Sequence, residues 1–330
     1  MVTLQGSAGG RPVAVAAGLR PTVGLDIGGT KTLAALLGPD GEVLAQARLR
    51  TEPGPDGVLA SAVRAVHGVV RQVGLEVASL DGAGVGVPGL VGHADGTVRH
   101  AVNLGIDGAP MPLAGLLSRE LGIGVVVDND LNVAALGAAH LAPDAAVRPL
   151  DLAFLALGTG LAAGLVLDGV IRRGTGAAGE IGHVPIDPAG PLCPCGQRGC
   201  LELYASGSAV DRLWPSTTGR PAPVELFEAA AAGDTRAIEA RSTYADAVAA
   251  AVRMLVLSVD VRRVVLGGGV AQLGEPLLVA VRAALERQVS GSAFLASLGL
   301  PDRVLLAPGE VPVAAVGAAV LARTADPGDD

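Results

Sequence analysis

The three cysteines of this 330-residue chain lie close together, at Cys193, Cys195 and Cys200, and His183 stands shortly before them. Three thiolates and one imidazole are the donor set of a closed, tetrahedral Zn2+ site. Pro185, Pro188, Pro191 and Pro194, with Gly190, Gly196 and Gly199, fall between and beside these residues. Proline and glycine at that density exclude a regular helix or a central strand, so a bound metal is what would fold the segment. A disulfide framework fits less well, because the cysteine count is odd and no secretion signal is evident.

Carboxylates accompany the cluster. Glu180 precedes His183 by three residues and Glu202 follows Cys200 closely. A histidine bound to metal through one ring nitrogen still offers the other, so two carboxylates and an imidazole N–H can converge on a polyhydroxylated ligand such as a sugar. Spacing alone reads Glu180 and Glu202 equally well as solvated loop acids.

A second chemistry is written in glycine turns. An apolar strand over Thr22–Asp26 runs into Gly28-Gly29-Thr30-Lys31 and returns through Thr32–Leu37. Glycines let backbone N–H groups approach phosphate oxygens, and Thr30 and Lys31 add a hydroxyl and a charge. Lys31 is the only lysine in the chain, which hints at a specific need but is also compatible with chance. Asp26, at the strand end, can hold Mg2+ directly or through water. The turn is not a Walker A motif, and strand–turn–strand is unlike the opening of a dinucleotide-binding unit. Gly158-Thr159-Gly160 repeats the arrangement, and Gly267-Gly268-Gly269 forms a third glycine turn after an apolar strand.

The third element is Asp128-Asn129-Asp130, which ends the β-branched run Val125–Val127 and opens a helix over Leu131–His140. A carboxylate there can cap the helix or act as a base at a strand end, where open α/β sheets place ligands. One aspartate can do each. Asn103 follows another apolar stretch.

The elements that position these groups alternate. Helices are expected at Gly57–Val73, Pro112–Leu121, Ala209–Leu213, Val224–Ala232, Arg236–Leu257, Leu277–Gln288 and Val313–Arg323. Strands are expected at Glu42–Arg50, Gly82–Val87, Val261–Leu266 and Val304–Leu306. The pattern strand, glycine turn, strand, acidic turn, strand occurs twice, around Leu25–Thr30 and Leu155–Gly160, which implies an internal duplication. With 50% hydrophobic and 2% aromatic residues, the core is built from Val, Leu and Ala. A net charge of −8 gives no electrostatic reason to expect nucleic acid. Leu152–Leu167 is uncharged but interrupted by glycine and short of the roughly 20 residues of a span, so it reads as a buried hairpin. Residues 1–20 read as a disordered leader with no positive region before Val13–Leu19, and the tail from Thr324 as frayed. No membrane association and a cytoplasmic location are expected.

These motifs together resemble the ROK family of sugar kinases within the actin-like ATPase superfamily. Its Asp-x-Gly-Gly-Thr-Lys turn is matched by Asp26 to Lys31, its strand-end acid-Asn-Asp by Asp128 to Asp130, and its Gly-Thr-Gly turn by Gly158 to Gly160. Gly-Glu-Ile-Gly-His is matched from Gly179, the cluster closing in Gly-Cys-Leu-Glu at Gly199 to Glu202, and the late glycine triplet at Gly267. The resemblance implies an α/β, two-lobed actin-like (ribonuclease-H-like) sugar kinase fold with duplicated domains and a zinc-bound loop. Residues 21–135 with a C-terminal helix at 312–325 would form the smaller lobe, and 136–311 the larger one, carrying the zinc loop 183–200. It implies an ATP-dependent hexokinase, most often a glucokinase, with N-acetylmannosamine or N-acetylglucosamine kinases and a non-catalytic sugar sensor as alternatives.

In that frame Asp130 is the general base for the sugar 6-hydroxyl, and Asn103, Asn129, Glu180, His183 and Glu202 bind sugar hydroxyls. Asp26, Gly28, Gly29, Thr30, Lys31, Gly158, Thr159, Gly160, Gly268 and Gly269 serve ATP and Mg2+. His183, Cys193, Cys195 and Cys200 hold structural Zn2+. The family's habit implies a homodimer or homotetramer. A DNA-binding branch of the family needs a winged helix-turn-helix before Asp26, and the roughly twenty residues there hold two arginines and no helical period. Two departures stand out: Ala162-Ala163 follows the second turn where more glycine is common, and Gly105-Ile106-Asp107 follows Asn103-Leu104 in place of Pro-Gly-Trp.

Overall fold

The computed structural model describes residues 20–143 and 150–324. The leader read over residues 1–20 falls, but for Arg20, outside the described residues, as does the tail beyond Thr324. The chain divides into two compact units, residues 1–147 with 308–330, and residues 148–307.

In chain order the first unit opens with β1 (Thr22–Ile27), β2 (Lys31–Leu37) and β3 (Val43–Arg50), then α1 (Pro55–Gln72) and β4 (Gly82–Val87). A short hairpin, β5 (Leu90–Gly92) and β6 (Thr97–Arg99), precedes α2 (Leu113–Leu121), β7 (Val125–Asn129) and α3 (Asp130–Leu141). The second unit runs through β8 (Leu152–Leu157), β9 (Leu161–Leu167), β10 (Val170–Ile171), α4 (Glu202–Ala205), α5 (Gly207–Leu213), α6 (Ala222–Ala231) and α7 (Thr235–Val259). It closes with β11 (Arg263–Gly267), α8 (Glu275–Val289), α9 (Ala293–Ser297) and β12 (Val304–Leu306), after which α10 (Val313–Thr324) returns to the first unit.

The duplication is visible in the sheets. The first has the order β3-β2-β1-β4-β7 and the second β10-β9-β8-β11-β12. In each, an antiparallel three-strand meander is extended by two parallel strands, β4 and β7 or β11 and β12. The consequence for function is positional. The C-terminal ends of β1, β4 and β7 lie side by side, as do those of β8 and β11, and ligands of α/β sheets bind at such ends.

Each unit has its own core of small aliphatic side chains. In the first, Val23, Leu25 and Ile27 of β1 pack with Ala62, Val66 and Val69 of α1, all with no exposed surface. In the second, Leu155 and Leu266 meet Val248, Val252 and Leu255 of α7. That helix, at 25 residues, is long and apolar enough to cross a membrane by composition. Its apolar side chains, Tyr244 and Val252 among them, are instead buried in this core. Leu152–Leu167 is the hairpin β8–β9, as its glycine interruption predicts.

Helices α3 and α10 cross where Gly137 faces Gly317. A Cβ at either would meet the other helix's backbone, so the crossing depends on glycine for close approach. The contact fixes α3, whose first residue is Asp130.

Candidate functional site

In the first unit, Asp26 is the last residue but one of β1, and the chain turns through Gly28, whose N–H donates to the Lys31 carbonyl at 2.9 Å. Gly29 lies against Asn103: a Cβ there would come within 2.5 Å of the Asn103 carbonyl oxygen. Asn103 itself is exposed, in a short 3-10 turn over Val102–Leu104. Thr30 and Lys31 are exposed at the tip. The turn, Asn103 and the β7 end therefore share one edge of the sheet.

At that edge the helix cap falls to the asparagine of Asp128-Asn129-Asp130 and not to either aspartate. Asn129 is the N-cap of α3, its Oδ1 accepting from the Leu131 N–H at 2.9 Å. Its Nδ2 donates to the Gly89 carbonyl at 3.3 Å, which leaves one amide hydrogen and one lone pair for a ligand. Asp128 is fully buried and points inward, accepting from the Asn129 N–H at 2.7 Å and Asn132 Nδ2 at 2.8 Å. The capping residue is thus the asparagine, with the Asp130 carboxylate sharing the same Leu131 N–H. Asp130 accepts from Leu131 N–H through Oδ1 at 2.9 Å, and its other oxygen accepts no hydrogen bond among the described residues. Burial pushes its carboxyl above the ordinary range.

Asp26 is its electrostatic neighbour. Burial, reinforced by the charge of Asp130 and opposed by Lys31, pushes the Asp26 carboxyl up to about 6. A raised carboxyl pKa means that the folded protein holds this proton more tightly than the unfolded chain. The contribution to stability is complete below the ordinary value of 3.8 and is lost as pH rises through about 6. Asp26→Asn is therefore expected to melt at a higher temperature than wild type at pH 7.5 and to lose that advantage near pH 4, read from metal-free thermal melts at both pH values.

Sequence reasoning missed the β5–β6 hairpin. It places His93 Nδ1 3.8 Å from Asp128 Oδ1 and is tightened by Asp95, which accepts from the Thr97 N–H and hydroxyl at 3.0 and 2.7 Å. The Asp95-Gly96 turn was the available signal.

In the second unit, Gly158-Thr159-Gly160 joins β8 to β9, with the Gly158 N–H donating to the Gly160 carbonyl at 3.1 Å. Gly268, at φ +85°, passes so close to the Leu157 backbone that a Cβ would lie 2.7 Å from its carbonyl oxygen. This left-handed glycine brings the third turn against the second, and the predicted phosphate-facing glycines share one sheet end. Ala162 and Ala163 are strand residues of β9, paired with Ala156 and Leu155. They lie beyond the turn and do not form its backbone.

The segment from Gly179 is laid along β9, with the Ala163 N–H donating to the Gly179 carbonyl at 2.8 Å. Glu180 is exposed, its carboxylate without a hydrogen-bond partner among the described residues. Glu202 opens α4, and its Oε2 accepts from the Leu161 N–H at 3.0 Å. Glu202, Thr159 and Gly160 line one cavity of about 550 Å3 with Leu203, Ser206 and Arg212.

His183, Cys193, Cys195 and Cys200 do converge. One donor atom from each lies within 4.8 Å of all the others. Cys195 and Cys200 Sγ are 3.6 Å apart, and Cys193 Sγ is 3.9 Å from His183 Nδ1. A tetrahedron with bonds of about 2.3 Å has edges of about 3.8 Å, so the spacing fits Zn2+. Gln197 N–H bonds pull the Cys195 thiol down to about 6, while burial and the neighbouring thiols push Cys200 up to about 12. A metal on Nδ1 would hold the His183 proton on Nε2, leaving a donor of fixed direction.

Comparison with known proteins agrees with this geometry. The ROK family profile matches residues 22–325. A glucokinase of Halalkalibacterium halodurans is 32% identical, aligned over 84% of this chain and 90% of its own. An N-acetylmannosamine kinase of Vibrio cholerae is also 32% identical, over 82% and 90%. The crystal structure of a ROK family glucokinase from Streptomyces griseus, in complex with glucose and AMPPNP, is 30% identical, with a TM-score of 0.71 over 92% of this chain and 100% of the other.

Proposed function

The chain belongs to the ROK family, and from that membership we propose that it is an ATP-dependent hexokinase. It transfers the γ-phosphate of ATP to the 6-hydroxyl of an aldohexose, glucose foremost. The observation that carries the reading is Asp130: a half-buried carboxylate with an unbonded oxygen, at a strand end beside a glycine turn.

Asp130 accepts the proton as the sugar oxygen attacks the γ-phosphorus, and its raised pKa brings it nearer the working pH, where a general base is most effective. Asn103 and Asn129 in the first unit are candidate contacts for sugar hydroxyls, as are Glu180, His183 and Glu202 in the second. Gly28, Gly29, Thr30 and Lys31, with Gly158, Thr159, Gly160, Gly268 and Gly269, present N–H groups, a hydroxyl and a charge to phosphates. Asp26, whose carboxylate accepts no hydrogen bond among the described residues, would hold Mg2+, which would supply positive charge to the transferred group. Little else is required of the protein, since phosphoryl transfer depends on positioning and charge stabilisation.

The equal identity to an N-acetylmannosamine kinase favours an N-acetylhexosamine as the second reading. All these sugars share the 6-hydroxyl chemistry and differ at ring positions two to four. We further propose a cytoplasmic homodimer or homotetramer. A coupled assay of ADP release with Mg-ATP against hexoses and N-acetylhexosamines is expected to give turnover with glucose. Turnover with N-acetylmannosamine alone would select the second reading, and sugar binding by calorimetry without turnover would select a sensor.

A further inference from the structure

Glu202 sits between two features that the kinase reading treats separately, the metal loop and the second glycine turn. Its Oε2 accepts the N–H of Leu161, the residue that follows Gly158-Thr159-Gly160 directly, at 3.0 Å. Leu161 is 3% exposed, so its N–H needs an acceptor from the protein. The approach is close enough that a Cβ on Gly160 would lie 2.5 Å from the same oxygen. From its other side the turn is closed by the Gly207 N–H, at the start of α5, donating to the Gly158 carbonyl at 2.7 Å.

The acid is in turn held by the cysteine cluster. Glu202 is the first residue of α4, directly after Leu201, which follows the buried Cys200. Leu201 is fully buried, and its N–H donates to the Val184 carbonyl at 3.0 Å, one residue past His183. Cys200 pairs with Pro185 in an isolated bridge. The metal ligands therefore fix both strands of the loop on which α4 begins.

We propose that Glu202 is a positioning residue for the second glycine turn, and that it couples the metal loop to nucleotide binding. This role rests on the kinase reading and deepens it. One carboxylate oxygen orders the turn while the other remains for the sugar. A role confined to sugar contact would leave nucleotide affinity untouched when Glu202 is changed.

The test is calorimetric titration of the metal-loaded protein with Mg-AMPPNP, without sugar. Glu202→Ala strands the Leu161 N–H and is expected to weaken nucleotide binding about tenfold. Glu202→Gln keeps an acceptor oxygen and is expected to stay within about twofold of wild type, while losing sugar affinity. Hydrogen exchange should report the same split, with faster exchange over residues 157–162 in Glu202→Ala but not in Glu202→Gln. Glu202→Asp, which draws the carboxylate back from the N–H by one methylene with the acid still present, should behave like Glu202→Ala, and so covers the case in which the latter fails to fold. Unchanged AMPPNP affinity in Glu202→Ala beside a binding wild type overturns this role alone, as does equal weakening in Glu202→Gln. A wild type that binds no nucleotide overturns the kinase reading and this role with it.

Discussion

Asp130→Asn is expected to lower kcat by about 10^3-fold while leaving sugar affinity within a few-fold, because general-base assistance contributes roughly 10^2 to 10^4. The amide preserves shape and can still accept the Leu131 N–H through its oxygen, so α3 keeps its start. What it removes is the proton acceptor. The same residue predicts the acid limb of the pH profile. Burial raises the Asp130 carboxyl, so kcat should fall as pH drops through a value above the ordinary 3.8, and that limb should vanish from the residual rate of Asp130→Asn. The negative charge of Asp130 in turn helps to raise the Asp26 carboxyl. Stopped-flow measurement of single turnovers separates this loss from slower product release. A variant within tenfold of wild type would remove Asp130 from the base role.

The second large effect is expected from Cys195→Ser. Structural zinc sites supply apparent binding energies of about 10–16 kcal/mol in small domains, and their loss exposes loops that nothing else orders. Here the segment from His183 to Cys200 has two isolated bridges, Pro185–Cys200 and Leu192–Arg198, and little core of its own. The variant should lose the metal and bind sugar far more weakly. It should also melt lower by an amount on the order of 10 °C, taking about 2–4 °C per kcal/mol for units of this size and a partial loss. Metal analysis by mass spectrometry, melting and calorimetry read the three effects. The sugar effect follows from position: Glu180, His183 and Glu202 flank or belong to the loop. Retained sugar affinity in metal-free Cys195→Ser would separate the loop from the site.

What the sequence made legible was local. The cysteine spacing, the glycine turns and the acid-Asn-acid strand end each lie within a short window, and their chemistry survives without knowledge of the fold. The duplication was legible for the same reason, since the recurring pattern around Leu25–Thr30 and Leu155–Gly160 maps onto two sheets of identical strand order. What stayed hidden depends on contacts between distant segments. Which residue caps α3 turns on backbone angles at Asn129, not on which side chains are able to cap. The hydrogen bond from Leu161 to Glu202 spans 41 positions, and no spacing rule connects them. His93 beside Asp128 belongs to a hairpin of three-residue strands, too short to carry a period-two signal. The membrane-like apolarity of α7 is of the same kind, resolved only by the core that its side chains fill.

The central claim is phosphoryl transfer from ATP to a hexose 6-hydroxyl. Phosphorus NMR of the product formed by wild-type protein from Mg-ATP and glucose, or from whichever panel sugar turns over fastest, tests it directly. ADP and a sugar phosphate are expected in equal amounts, with the new phosphorus coupled to the two hydrogens at carbon six. ADP accompanied only by inorganic phosphate, or phosphate carried at carbon one, would contradict it.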